Sequence, residues 1–310
     1  MSQTIHNVQP VLAPIGKEGF GELVSSRYAV RVGDVDVLLI SDGVLPLPTS
    51  TMSTNVSEAD RNEWFDNRFL QRDMFDWALN IALIRSGDTL ILVDSGVGDG
   101  FEYFTRAGQS VMRLETAGID LRAITDIVVT HMHMDHVGGL NNDGVKAKLR
   151  PDVRIHVAAA EVEFWKNPDF SKTVMPEAVP PALRKAAAKF VELYGEHIVP
   201  FDKTVEVAPG VSARVTGGHT PGHCVVDVAS NGEKLTFAGD AIFEVGFEHP
   251  EWQNGFEHDP EGAVDVRIQL FEEAARTGSM LAAAHVAFPS IGHVARTDTG
   301  YRFVPVQWDY

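Results

Sequence analysis

Between His131 and His136 the chain gathers three imidazoles and one carboxylate, those of His131, His133, Asp135 and His136, and Gly138 and Gly139 follow closely. Imidazole and carboxylate together suit Zn²⁺ and neighbouring borderline metals, and the absence of thiolates argues against a structural cysteine-ligated zinc. Three later stretches each supply one more group of this kind. His219 lies in the turn that also holds Pro221 and His223, Asp240 follows Gly239, and His285 closes a run of alanines. A single histidine after a strand is more often a hydrogen-bonded structural residue. The set of four sites in this order is what points to a metal centre.

The elements that must position these groups are legible in outline. Residues 126–130 are apolar and β-branched, a short buried strand that ends where the His131 cluster begins. Residues 211–216 alternate, residues 234–237 are strand-like and residues 280–284 are apolar. Each of these runs delivers a histidine or aspartate beside Gly, Pro or small residues that let the backbone turn sharply. Residues 28–32 and 35–40 read as a hairpin across Gly33 and Asp34, and residues 81–84 and 89–93 as another around Gly87 and Asp88. The stretch 43–77 reads as loop-rich, with a helical part near 58–65. Helices are expected over 101–117, 159–166, 181–194 and 261–277.

These residues carry a resemblance. The order His131, His133, Asp135, His136, then His219, Asp240 and His285, with Asp94 in a turn before Ser95 and Gly96, resembles the metallo-β-lactamase-fold hydrolases over nearly the whole chain. The stretch from Ala284 to His293 and the C-terminal stretch from Gly300 to Gln307 are similar to the methyl-parathion-hydrolase-like branch, which holds aryl-lactonases, arylesterases and organophosphate triesterases. The resemblance implies an α/β fold, the αββα sandwich of that family. It also implies two divalent metal ions, most simply Zn²⁺. His131, His133 and His219 would hold one ion, Asp135, His136 and His285 the other, with Asp240 bridging and Asp94 and His223 supporting from behind. Asp135 and Asp240 are the expected catalytic carboxylates. A hydroxide between the two ions would attack the substrate carbonyl or phosphorus.

The leaving group narrows the expectation. Acyl-homoserine lactonases of this superfamily place a Tyr three residues past the bridging Asp, whereas this chain has Phe243 there. Without that hydroxyl, aryl lactones and aryl esters, whose phenolates depart unprotonated, are the better match, with promiscuous turnover of organophosphate triesters as a further expectation. The pocket should be apolar and aromatic, with Trp165, Phe243, Phe288, Phe101 and Phe104 as candidates. Alternatives within the same fold are a glyoxalase-II-like thioesterase and an iron-dependent dioxygenase. The first is disfavoured because no basic patch for glutathione or coenzyme A is evident.

Composition limits the partners. The 310 residues carry a net charge of −17, which disfavours nucleic-acid substrates. No apolar run is long enough to span a bilayer, and the N-terminus lacks a secretory pattern. With one cysteine, Cys224, no internal disulfide can form. These features favour a cytoplasmic enzyme acting on a small molecule, without nucleic-acid or membrane partners. No linker interrupts the chain, so one domain over 1–310 is expected, with a short N-terminal extension over about 1–25. The resemblance also implies a homodimer.

Overall fold

A computed structural model describes residues 25–100 and 105–307. The first sheet is laid down in sequence order. Strands β1 (Arg27–Val32), β2 (Val35–Pro48), β3 (Met74–Ser86) and β4 (Thr89–Val93) form an antiparallel meander. Strands β5 (Asp126–Val128), β6 (Arg154–Ala158) and β7 (Ile198–Phe201) then extend the sheet in parallel. The second sheet runs β8 (Thr204–Ala208), β9 (Val211–Val215), β10 (Cys224–Ser230), β11 (Glu233–Phe237), β12 (Met280–Ala282), β13 (Ile291–Arg296) and β14 (Tyr301–Pro305), again in sequence order. Helices are α1 (Glu58–Asp66), α2 (Ser110–Thr116), α3 (Met134–Val137), α4 (Val145–Lys148), α5 (Ala159–Phe164), α6 (Val179–Tyr194) and α7 (Pro260–Thr277).

Side-chain alternation builds the layers. On β4, Ile91 and Val93 face the second sheet, while Leu90 and Leu92 face the helices. Val226 and Val228 of β10 complete the inner layer, and Val225 packs outward with Leu270 and Phe271 of α7. On the other side, Leu183 and Phe190 of α6 cover the first sheet. The result is the expected αββα sandwich. No helix among the described residues is long and apolar enough to cross a membrane.

Two expectations are corrected. The stretch 43–77 is not mostly loop: β2 runs on to Pro48 and β3 starts at Met74, pairing Pro48 with Met74. β1 pairs with β2 only as far as Ile40, so Pro46 and Pro48 lie where one side of β2 has no β1 partner and a missing N–H breaks no ladder. Of the helix expected over 101–117, the described part from 105 on is helical only in α2, because Gly108 adopts φ +78° just before it. Phe101 and Phe104 lie outside the described residues.

The irregularity between Ser41 and Gly43 leaves Asp42 without a ladder partner. Its buried carboxylate accepts N–H bonds from Val97 (2.9 Å), Gly108 (3.1 Å) and Ser110 (2.7 Å). One bulged residue thereby shapes the loop that follows Asp94.

Candidate metal centre

The site lies where strands of both sheets end. Asp94, just past β4, takes φ +60° and directs its buried carboxylate under the His131 cluster. Oδ1 accepts from the Thr130 N–H, and Oδ2 accepts from the Thr130 hydroxyl and from His136 Nδ1, each at 2.8 Å. With Nδ1 protonated, His136 presents the lone pair of Nε2, which meets Asp240 Oδ1 at 3.1 Å. His285 is fixed in the same sense: Nδ1 donates to the Ala78 carbonyl at 2.8 Å, and Nε2 lies 3.0 Å from Asp240 Oδ2 and 3.4 Å from Asp135 Oδ2. Asn80 of β3 donates to the carbonyls of Ala284 and Val286 on either side of His285, so the first sheet places a ligand carried by the second.

His133 has the opposite orientation. Its Nδ1 lies 3.1 Å from His219 Nε2, and its Nε2 faces His258 Nε2 at 3.4 Å. His258 Nδ1 donates to the Asp169 carbonyl at 2.9 Å, which leaves its Nε2 to accept from His133 and frees the His133 Nδ1 lone pair for the site. His223 accepts the Asp240 N–H at 3.1 Å through Nε2 and bonds the Thr216 hydroxyl through Nδ1. Burial pushes its pKa down to about 4, so it is neutral at physiological pH.

The seven sequence-predicted groups converge. His131, His133, His219 and Asp240 form one cluster and Asp135, His136 and His285 another, with the donor atoms of each within 4.8 Å of one another. Burial and neighbouring imidazoles hold His131, His133 and His219 well below the usual histidine range. Burial would raise the Asp240 carboxyl, but His136, His285, His219 and His131 outweigh it and hold it well below its ordinary value. Nε2 of His131, Nε2 of His136 and Oδ1 of Asp240 are buried without a hydrogen-bond partner. Asp240 in turn holds His136 and His285 above the usual histidine range against burial. Three neutral imidazoles and unsatisfied buried acceptors around one buried anion are a donor set that suits divalent cations.

One organiser was not visible in the sequence. Glu161 of α5 is fully buried and accepts four bonds: Met132 N–H (2.9 Å), Trp165 Nε1–H (2.7 Å), Thr220 hydroxyl (2.6 Å) and Gly222 N–H (3.1 Å). It ties the His131 cluster to the His219 turn. A Cβ on Gly222 would lie 2.1 Å from the Glu161 nitrogen, so the glycine permits that approach. Nothing marks a Glu on a short helix as buried until the turn that covers it is placed.

Above the cluster opens an apolar cavity with an enclosed volume of about 50 Å³. Leu45, Leu47, Trp77, Val179, Leu183 and Phe256 form its walls, and His133, Asp135, Asp240, His285 and Asn254 face it as well. The aromatic candidates from the sequence are placed otherwise. Phe243 is 1% exposed; its ring lies 6.1 Å from that of Trp77, and the Arg267 guanidinium sits 4.3 Å over it. It belongs to the core behind the wall. Phe288 packs against the layer between the sheets. Trp165 sets its ring edge-to-face against His133, 5.8 Å between centroids, with its N–H taken by Glu161, and does not line the cavity. His258 is buried against His133, whereas His293 is exposed and bonds the Gly278 carbonyl. Cys224 is a buried strand residue whose thiol is pushed up by burial.

Residues 75–285 match the metallo-beta-lactamase superfamily. The chain belongs to that superfamily, and its fold and site are of the metal-dependent hydrolase type. It is similar to the solved structure of AidC, a dizinc quorum-quenching lactonase in complex with a homoserine product, with 24% identity, TM-score 0.80, and coverage of 92% of this chain and 99% of that one. The hydrolase AbOPH of the beta lactamase superfamily has 25% identity and TM-score 0.80, with coverage of 93% and 99%. A Beta-lactamase-like protein 2 homolog of Drosophila melanogaster is 31% identical over 170 residues, 54% of this chain; the match spans 48% of that relative's length.

Proposed function

We propose that this protein is a binuclear zinc hydrolase of aryl lactones and aryl esters, with secondary activity on organophosphate triesters. The observation that carries the reading is the cavity: walls of Leu, Val, Trp and Phe above a floor of metal-ligating groups, with no lining hydroxyl among the described residues. Such walls favour a flat apolar substrate. A phenolate departs without a proton, so the lack of a hydroxyl donor is no handicap for aryl substrates.

His131, His133 and His219 would hold one ion, Asp135, His136 and His285 the other, and Asp240 reaches both groups. When bound, two divalent ions acidify water and polarise the scissile carbonyl or phosphoryl oxygen. The protein's own part is orientation. Asp94, His258 and the Ala78 carbonyl fix the imidazole tautomers, and His223 holds the Asp240 backbone. The apolar walls keep bulk water from the reacting centre. The likeness to AidC supports a lactone as one substrate type.

The test is the initial rate of zinc-loaded protein on dihydrocoumarin, an aryl phosphotriester and an acyl-homoserine lactone, each with a chelated control. Chelator-sensitive opening of dihydrocoumarin, faster than the other two, is expected. Preference for the acyl-homoserine lactone would remove the aryl assignment, and silence on all three would remove the hydrolase reading at branch level.

A further inference from the structure

Asn254 is 5% exposed and lines the cavity beside Asp240 and His285. Two bonds fix it. Its backbone N–H donates to Glu257 Oε2 at 2.9 Å, and its side-chain Oδ1 accepts the Phe256 N–H at 3.0 Å. With the oxygen taken, the carboxamide NH₂ is the group left over, and none of its hydrogen bonds is among those formed by the described residues. The mount is rigid, because Glu257 is itself paired with the fully buried Arg267. The His258 N–H then ties the same loop to the His219 carbonyl at 2.8 Å. Trp77, on the same wall, carries a buried N–H without an acceptor. Donors left unsatisfied in an apolar cavity cost free energy unless a ligand answers them.

We infer that Asn254 is a specificity residue: its NH₂ donates to a carbonyl oxygen in the acyl part of the substrate, away from the scissile bond, and favours acyl groups that carry such an acceptor. The inference rests on the hydrolase reading above and deepens it. A fixed donor discriminates strongly against a substrate lacking its acceptor, since binding that substrate leaves the N–H buried and unpaired.

Two phenyl esters of equal acyl length separate the possibilities, phenyl N-acetylglycinate and phenyl pentanoate, which share the leaving group and differ by the amide. The readout is the ratio of their kcat/KM values in zinc-loaded parent, Asn254→Ala and Asn254→Asp. Asp keeps an oxygen for the Phe256 N–H but offers no NH₂. The ratio is expected to fall about tenfold in both variants, the value of one neutral hydrogen bond. A merely structural Asn254 would lower both rates together in Asn254→Ala and recover both in Asn254→Asp, leaving the ratio at the parent value; that result overturns the inference alone. A parent inactive on both esters overturns the hydrolase reading and this inference with it.

Discussion

Arg267 and Glu257 form an ion pair in which both side chains are fully buried. The guanidinium also donates to the carbonyls of Pro250 (2.7 Å), Trp252 (2.9 Å) and Ala241 (3.3 Å). Helix α7 thereby holds the segment 250–258, which contributes Asn254 and Phe256 to the cavity and His258 to the metal centre. Breaking a buried pair strands the remaining charge, so Arg267→Met should destabilise the fold by about 3–5 kcal/mol. Urea unfolding of the metal-loaded protein checks this; a loss under 1 kcal/mol would show that the pair is not what fixes the loop.

Glu161 supports ligands it does not contact. Glu161→Ala leaves four donors without an acceptor, at Met132, Trp165, Thr220 and Gly222. Metal affinity, measured by competition with a chromophoric chelator, should weaken by about 10–100-fold. Unchanged affinity would mean that the His131 cluster and the His219 turn hold their positions unaided.

Asp240 approaches both ligand groups, with oxygens 3.1 Å from His136 Nε2 and 3.3 Å from His219 Nε2. Asp240→Asn should lose bound metal, by elemental analysis, together with rate. Removing metal from the parent should lower its Tm, since a ligand at 1,000 times its Kd contributes about 4 kcal/mol. Retention of two metals and full rate in Asp240→Asn would sink the bridging role.

Phe243→Tyr should bring no gain in acyl-homoserine lactone turnover. The position invites that substitution in the sequence, but the ring is sealed between Trp77 and Arg267. A hydroxyl there lacks a route to the substrate and should cost about 1–3 kcal/mol if unpaired. A large rise in lactonase kcat would contradict the placement.

Asp227 of β10 gives a pH signature remote from the metals. Burial pushes its carboxyl up, but the Thr236 hydroxyl and the charges of Arg214 and Lys234 outweigh burial and hold it below the ordinary 3.8. The folded group therefore titrates below its unfolded value. Its stabilisation is present above about pH 4 and is lost as pH falls through the lower folded value. Asp227→Asn should flatten the acid limb of stability against pH in that window; identical limbs would show that the carboxylate contributes nothing.

The sequence by itself determined the two hairpin turns, the short strands that end at the site and the seven metal-centre candidates. A strand end followed by Gly or Pro is a local pattern, and imidazole with carboxylate is a chemical one, so both can be read without knowing what lies across the fold. Asp94 and His223 were legible for the same reason, each lying in a recognisable turn. The cavity was not. Its wall joins Leu45 and Trp77 of a long hairpin, Leu183 of α6 and the Asn254–Phe256 loop, segments far apart in the chain. An aromatic side chain has the same composition whether it faces a cavity or a core, and only packing sends Trp77 to one and Phe243 to the other. Glu161, Glu257 and Arg267 escaped notice likewise, since a charged residue on a helix reads as solvated until tertiary contacts bury it and supply its partners.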